Sequence, residues 1–177
     1  MYKIKQQAKD YSIEVKWASI FAIMMLVWMY IEKLSGLHDE HIDKQAFFTN
    51  FIILPAMLIY VLALLDKRER FYNGRMTYIQ GFKSGAVITV MVAIFSPMVE
   101  YITFTITSPE YFPNAINYTV SNGWLTKEMA EASFNLGAFQ MDAAINILLI
   151  GLLASTVISL FTRKRSLNQI QKVQVHY

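Results

Sequence analysis

The sequence predicts an all-α integral membrane protein, a four-helix bundle with N- and C-termini cytoplasmic and a short outer amphipathic helix between the third and fourth spans. Three observations lead there. Of 177 residues, 55% are hydrophobic and only 16% are charged, which lies outside the usual range of soluble domains. The apolar residues gather into four blocks, each near or above the roughly 20 residues that cross a hydrocarbon core of about 30 Å. The basic residues, which give a net charge of +3, fall almost entirely on one side of those blocks. Four helices and their connections use up the chain, so residues 1–177 form a single membrane domain.

The first span is predicted at about 17–37. A basic leader and the lack of a small-x-small site before Glu32-Lys33 mark it as a retained anchor rather than a cleaved signal. The second runs over about 47–65 after a short hydrophilic hairpin, and the third over about 81–107. The third exceeds what the core requires, so it should tilt, kink or protrude, with Pro97 the place for a kink. The fourth covers about 137–161, leaving a tail at 162–177. In the outer loop 108–136, Ser108-Pro109 and Pro113 stop the third helix and Asn122-Gly123 makes a turn. Thr126 then caps a short helix from Lys127 to Phe134. All lysines and arginines except Lys33, Lys44 and Lys127 lie in the leader, in the connection between the second and third spans, or in the tail. The positive-inside rule makes that side cytoplasmic.

Inside the spans the ionisable residues stand out, because charge at membrane depth is costly and by default functional. Counting from the basic boundary of each span places Glu32, Asn50, Glu100 and Asn146 at one depth, about 25 Å in at 1.5 Å per residue, with Asp142 one turn further out. These five form a candidate polar cluster, though the same depth is where a membrane would end. Glu32, followed at once by Lys33 and the loop, is expected to reach the interface. Thr89, Ser96, Thr103 and Thr107 continue the Glu100 stripe along one helical face, which should look into the bundle or along a hydrated crevice. Gly81, Gly85, Gly151 and Ser155 offer small surfaces for close helix approach.

Other chemistry finds little support. The chain has no cysteine, which excludes disulfides and thiolate sites. His38-Asp39-Glu40-His41 lacks the spacing of a helical zinc site and reads as a solvated loop, so no metal or other cofactor is expected. No phosphate loop or nucleophile motif occurs, so no catalytic residues are assigned. No basic-aromatic patch argues for nucleic acid, so the bilayer is the expected partner, together with a second copy of the chain or another membrane protein.

Short motifs add a resemblance. Trp28-x-x-x-Glu32 with Gly36-Leu37-His38, Asp66-Lys67-Arg68, Tyr78-Ile79-Gln80-Gly81-Phe82-Lys83-x-Gly85, and Pro109 followed by an acid and aromatics resemble the bacterial membrane proteins of domain-of-unknown-function family 4199, found mainly in Bacteroidetes. The resemblance spans nearly the whole chain and implies a four-helix protein of the bacterial inner membrane. It carries over no catalytic or ligand residues. The leading expectation is a non-catalytic membrane component or accessory subunit that packs through its small-residue faces. The alternatives are a small proton or cation transporter or channel subunit using the outer carboxylates, and an intramembrane enzyme.

Overall fold

A computed structural model describes residues 11–164. Lys3, Lys5, Lys9, Arg165, Lys172 and most of the predicted tail lie outside the described residues. Seven α-helices follow in order: α1 (Ser12–Leu34), α2 (Ile42–Phe48), α3 (Ile53–Arg70), α4 (Tyr78–Tyr101), α5 (Tyr111–Ser121), α6 (Lys127–Ser133) and α7 (Leu136–Thr162). A 3₁₀ turn (Thr49–Ile52) joins α2 to α3, and a π turn (Ile102–Thr107) extends α4. Among the described residues there is no strand.

Four stretches are long and apolar enough to cross a membrane: Ser12–Leu34, Ile42–Arg70, Tyr78–Thr107 and Leu136–Thr162. Their outer faces carry Ile23, Leu54, Ile94, Leu153 and Phe161, each at least 60% exposed. A soluble protein rarely leaves so much contiguous apolar surface uncovered. The chain is a multi-pass membrane protein. Successive spans alternate in direction, so Lys16 meets Asp66, Glu14 meets Lys67, and the Lys164 amide bonds to the Met76 carbonyl at 2.8 Å. Both ends of the described chain therefore lie at one end of the bundle, called here the basic end.

That end holds a buried ion pair which counting charges along the sequence does not reveal. Glu14 and Lys67 are 1% and 3% exposed and 2.9 Å apart, and Ser84 donates to Glu14 at 2.6 Å. Lys67 thus ties α1 to α3 instead of lying at the surface as a topology signal.

Spans α4 and α7 make the most extensive packing pair, through glycines matched to hydroxyls. A Cβ on Gly85 would stand 2.7 Å from Ser155 Oγ, on Gly81 3.0 Å from Ser159 Oγ, and on Gly151 2.6 Å from Thr89 Oγ1. The four predicted packing residues meet inside the chain, so these faces are occupied and not open to a partner. Into the same seam α3 inserts Tyr60, whose hydroxyl lies 2.5 Å from the Gly85 carbonyl, 2.5 Å from Thr89 Oγ1 and 2.7 Å from Ser155 Oγ. Around it pack Ala18, Leu64, Ile88, Val92 and Ile158.

Several boundaries and features differ from expectation. Pro97 lies inside α4, where its missing N–H frees the Ala93 carbonyl; Ser96 Oγ donates to that carbonyl at 3.0 Å, and the α-helix continues to Tyr101. The departure from α geometry comes instead at the π turn, where the Ser108 amide reaches back to the Thr103 carbonyl at 2.7 Å. The second span begins in α2 at Ile42, earlier than predicted. The loop after the third span contains α5, which sequence reading missed: Pro113 is the third residue of that helix, where an absent N–H costs nothing. Gly123 (φ +68°) ends α5, Thr126 caps the Met129 amide, and α6 forms close to its predicted range.

The glycine-hydroxyl seam is testable. Gly151→Ala should destabilise the detergent-solubilised protein by about 1–3 kcal/mol through overpacking against Thr89. In a Thr89→Ala background most of that increment should disappear, as read from SDS-induced unfolding. An equal cost in both backgrounds would show that Thr89 does not set the helix separation.

Candidate functional site: an intrabundle cavity and a buried polar strap

Spans α3 and α7 touch at Tyr60, Gly151 and Ser155, and toward the far end they enclose a cavity of about 460 Å³. Residues of all four spans line it. Met25, Met57, Ile147 and Phe139 supply apolar wall, while Gln45, Thr49, Asn50, Glu100 and Asn146 are among its polar groups. Asn50 and Asn146 are exposed on the flanks of their helices and Glu100 is half-buried. The volume falls within the range of small-molecule sites, roughly 300–1,000 Å³.

Three of the five predicted cluster residues are thus brought together. Glu100 has no hydrogen-bond or ion-pair partner among the described residues. Asn50 Nδ2 donates to the Ala46 carbonyl at 2.6 Å, and Asn146 Nδ2 to the Asp142 carbonyl at 2.9 Å. Asp142 itself is exposed and lines no cavity described here. Glu32 belongs to a neighbouring cavity of about 600 Å³ with Trp28, His41 and Lys44. Glu32 and Glu100 thus line different cavities, and Asp142 lines neither.

The predicted stripe is mostly dry. Thr89, Ser96 and Thr103 are at most 1% exposed, and Thr107 is half-buried. Thr89 bonds to Tyr60 and to the Gly85 carbonyl, Ser96 serves the Ala93 carbonyl, and Thr103 Oγ1 is buried with no partner among the described residues. Thr89 and Glu100 on this face line the cavity, while the hydroxyls of Thr89 and Ser96 also hydrogen-bond to carbonyls of their own helix.

Behind the cavity runs a polar strap that sequence reading took for a solvated loop. His38 is fully buried, with Nδ1 2.7 Å from Ser108 Oγ and Nε2 3.4 Å from Glu32 Oε2. Trp28 Nε1 donates to Glu32 Oε1 at 2.5 Å, and Asn114 Nδ2 to the His38 carbonyl at 3.0 Å. Glu32 is only 2% exposed, so its carboxylate does not reach the interface as expected; Trp28 one turn back and the His38 ring hold it inward. A neutral His38 carrying its proton on Nε2 donates to Glu32 there and accepts from Ser108 at Nδ1. The order serine, histidine, acid matches a nucleophile array in composition. Ser108, however, is 1% exposed and lines neither cavity. The strap clamps the end of α1 to the end of the third span.

Gly36 (φ +73°) lets the chain reverse so that His38 turns inward, where its ring meets Tyr111 at 5.1 Å and Phe104 at 6.4 Å. Phe104 also lines the cavity, forming the partition between cavity and strap. Burial first, then the charges of Glu32 and Glu100, raise the pKa of the Tyr111 phenol, which places that ring in the field of both carboxylates.

His38→Ala should destabilise the protein by about 3–5 kcal/mol, because it strands a buried carboxylate. Adding Glu32→Gln should restore part of the loss, as measured by thermal unfolding in detergent. If the single variant melts within a degree of wild type, the strap does not hold the loop.

No curated protein and no solved structure matches the chain. Residues 16–164 match the family described as "Protein of unknown function (DUF4199)". With the match covering most of the sequence and all four apolar spans, the chain belongs to that family.

Proposed function

We propose that this is a non-catalytic protein of the bacterial inner membrane, with both termini in the cytoplasm, that holds a small amphiphile in the cavity between its spans. The observation that carries the reading is the cavity itself: an apolar space of about 460 Å³ at membrane depth with one unpartnered carboxylate, Glu100, on its wall. A side chain so costly to hold at that depth is retained where it contacts something. The orientation rests on Lys16, Lys67, Arg68, Arg70, Arg75, Lys83, Arg163 and Lys164 sharing one end of the bundle. An accessory role through the small-residue faces has less support, since those faces are filled by the protein's own helices. Transport through a cluster of outer carboxylates has less still, since Asp142 does not line the cavity of Glu100 and Glu32 is held by Trp28 and His38.

Two measurements test this. In the cysteine-free chain, Asn122→Cys should react with an impermeant maleimide added to spheroplasts, and Glu69→Cys only after permeabilisation; the reverse pattern would invert the orientation. For the cavity, a neutral alkyl diazirine photoreacted with the protein in nanodiscs should leave adducts on Met25, Met57 or Ile147. Ala143→Trp should remove those adducts while sparing the ones on lipid-facing Leu153. Adducts confined to outward residues such as Leu153 and Phe161 would sink the cavity reading.

A further inference from the structure

Three polar groups of the cavity wall, Glu100, Asn50 and Asn146, each present an acceptor, beside Gln45, Thr49, Tyr60 and Thr89, which carry donors as well. Glu100 carries a carboxylate without a donor or cation among the described residues. Asn50 and Asn146 each direct an amide N–H to a backbone carbonyl of their own helix, 2.6 and 2.9 Å away, which fixes the amide orientation and leaves both Oδ1 atoms without a partner. Two of the three cations in the far half of the chain are engaged elsewhere, Lys33 with Asp39 at 2.6 Å and Lys127 with Glu131 at 3.9 Å. Lys44 lines the neighbouring cavity with Glu32. Among the described residues no cation is paired with Glu100, and a carboxylate in an apolar cavity either takes up a proton or recruits a positive charge.

We infer that the cavity recognises a protonated primary amine at the head of an alkyl chain, with the ammonium against Glu100 and the amide oxygens of Asn50 and Asn146, and the chain along Met25, Met57 and Ile147. The inference rests on the amphiphile-binding reading above and names the headgroup. An ammonium has three N–H donors and no acceptor, the complement of the acceptors that Glu100, Asn50 and Asn146 present. Hydrogen bonds to a charged group in a low-dielectric site are the strong ones. A carboxylate or sulfate head would set like charge against Glu100, and a hydroxyl head would leave it uncompensated.

The test uses the full chain in phosphatidylcholine nanodiscs and three probes of equal chain length: dodecylamine, dodecanol and dodecyl sulfate. Wild type should bind dodecylamine about tenfold or more tighter than dodecanol, with dodecyl sulfate weakest. Glu100→Gln should abolish the preference for amine over alcohol, while Asp142→Asn, which removes an equal charge outside the cavity, should keep it. Size-exclusion profiles and helical circular dichroism confirm that the variants are folded. Replacing part of the phosphatidylcholine with phosphatidylethanolamine identifies the source of the amine: competition in wild type but not in Glu100→Gln points to a bilayer lipid, and no competition to a free amine. Both outcomes keep the ammonium assignment. Equal binding of amine and alcohol to wild type, or a preference that survives Glu100→Gln, overturns it while leaving the cavity in place. Loss of all alkyl binding together with absent cavity adducts overturns the amphiphile reading as well.

Discussion

One phenol organises the bundle. The Tyr60 hydroxyl sits where α3, α4 and α7 converge and serves the Gly85 carbonyl, Thr89 and Ser155 within 2.7 Å. It can do so only because Gly85 and Gly151 leave room for the α4 and α7 backbones to close on hydroxyl side chains. In lipid no hydrophobic driving force presses helices together, so close backbone approach and interhelical hydrogen bonds do that work. The steric and polar parts of the seam depend on each other. A bulkier residue at Gly85 would push Ser155 away and strand the phenol.

The seam also decides where the protein is open. Below it the spans are locked by Glu14, Lys67 and Ser84; beyond it, toward the far end, the second and fourth spans no longer touch through small residues. There Ala56, Met57, Ala143 and Ile147 line the space that remains between the spans. The far end is closed separately, by aromatic packing of Phe104, Tyr111, Phe112 and Phe139 and by the strap through His38. A rigid half and a strapped rim therefore enclose a cavity that neither one fills.

The parts legible in the sequence are those set along a single helix. Apolar block length located the four spans to within a few residues, because hydrocarbon thickness fixes it. Residue counting from the basic boundary grouped Glu32, Asn50, Glu100 and Asn146, of which the last three line one cavity and Glu32 lines its neighbour. The i, i+4 recurrence of small residues marked the α4 and α7 surfaces that meet. What stayed hidden depends on where the cavity ends and on residues far apart in the chain. Asp142 shares a helix face with Asn146 but lies one turn beyond it, outside the cavity lining. His38 read as loop because its polar neighbours Asp39 and Glu40 are solvated, while its partner Ser108 lies 70 residues away. Lys67 counted as one more cytoplasmic charge although Glu14, 53 residues earlier, buries it. Pro113 read as a stop because proline ends helices and begins them, and only the neighbouring turn tells which.

The π turn at Ile102–Thr107 has an evolutionary consequence. It holds one residue more than an α-helical turn would, and the bonds on either side of it are complete without it. A lineage that lost a single codon there would keep its third span, its length and its hydropathy almost unchanged. Everything past the deletion would nonetheless swing by about 100° around the helix axis, carrying Ser108 away from His38 and turning α5 off the mouth of the bundle. Sequence relatives that differ by one residue in this segment would thus share the membrane-spanning half of the fold and differ in how its far end is closed.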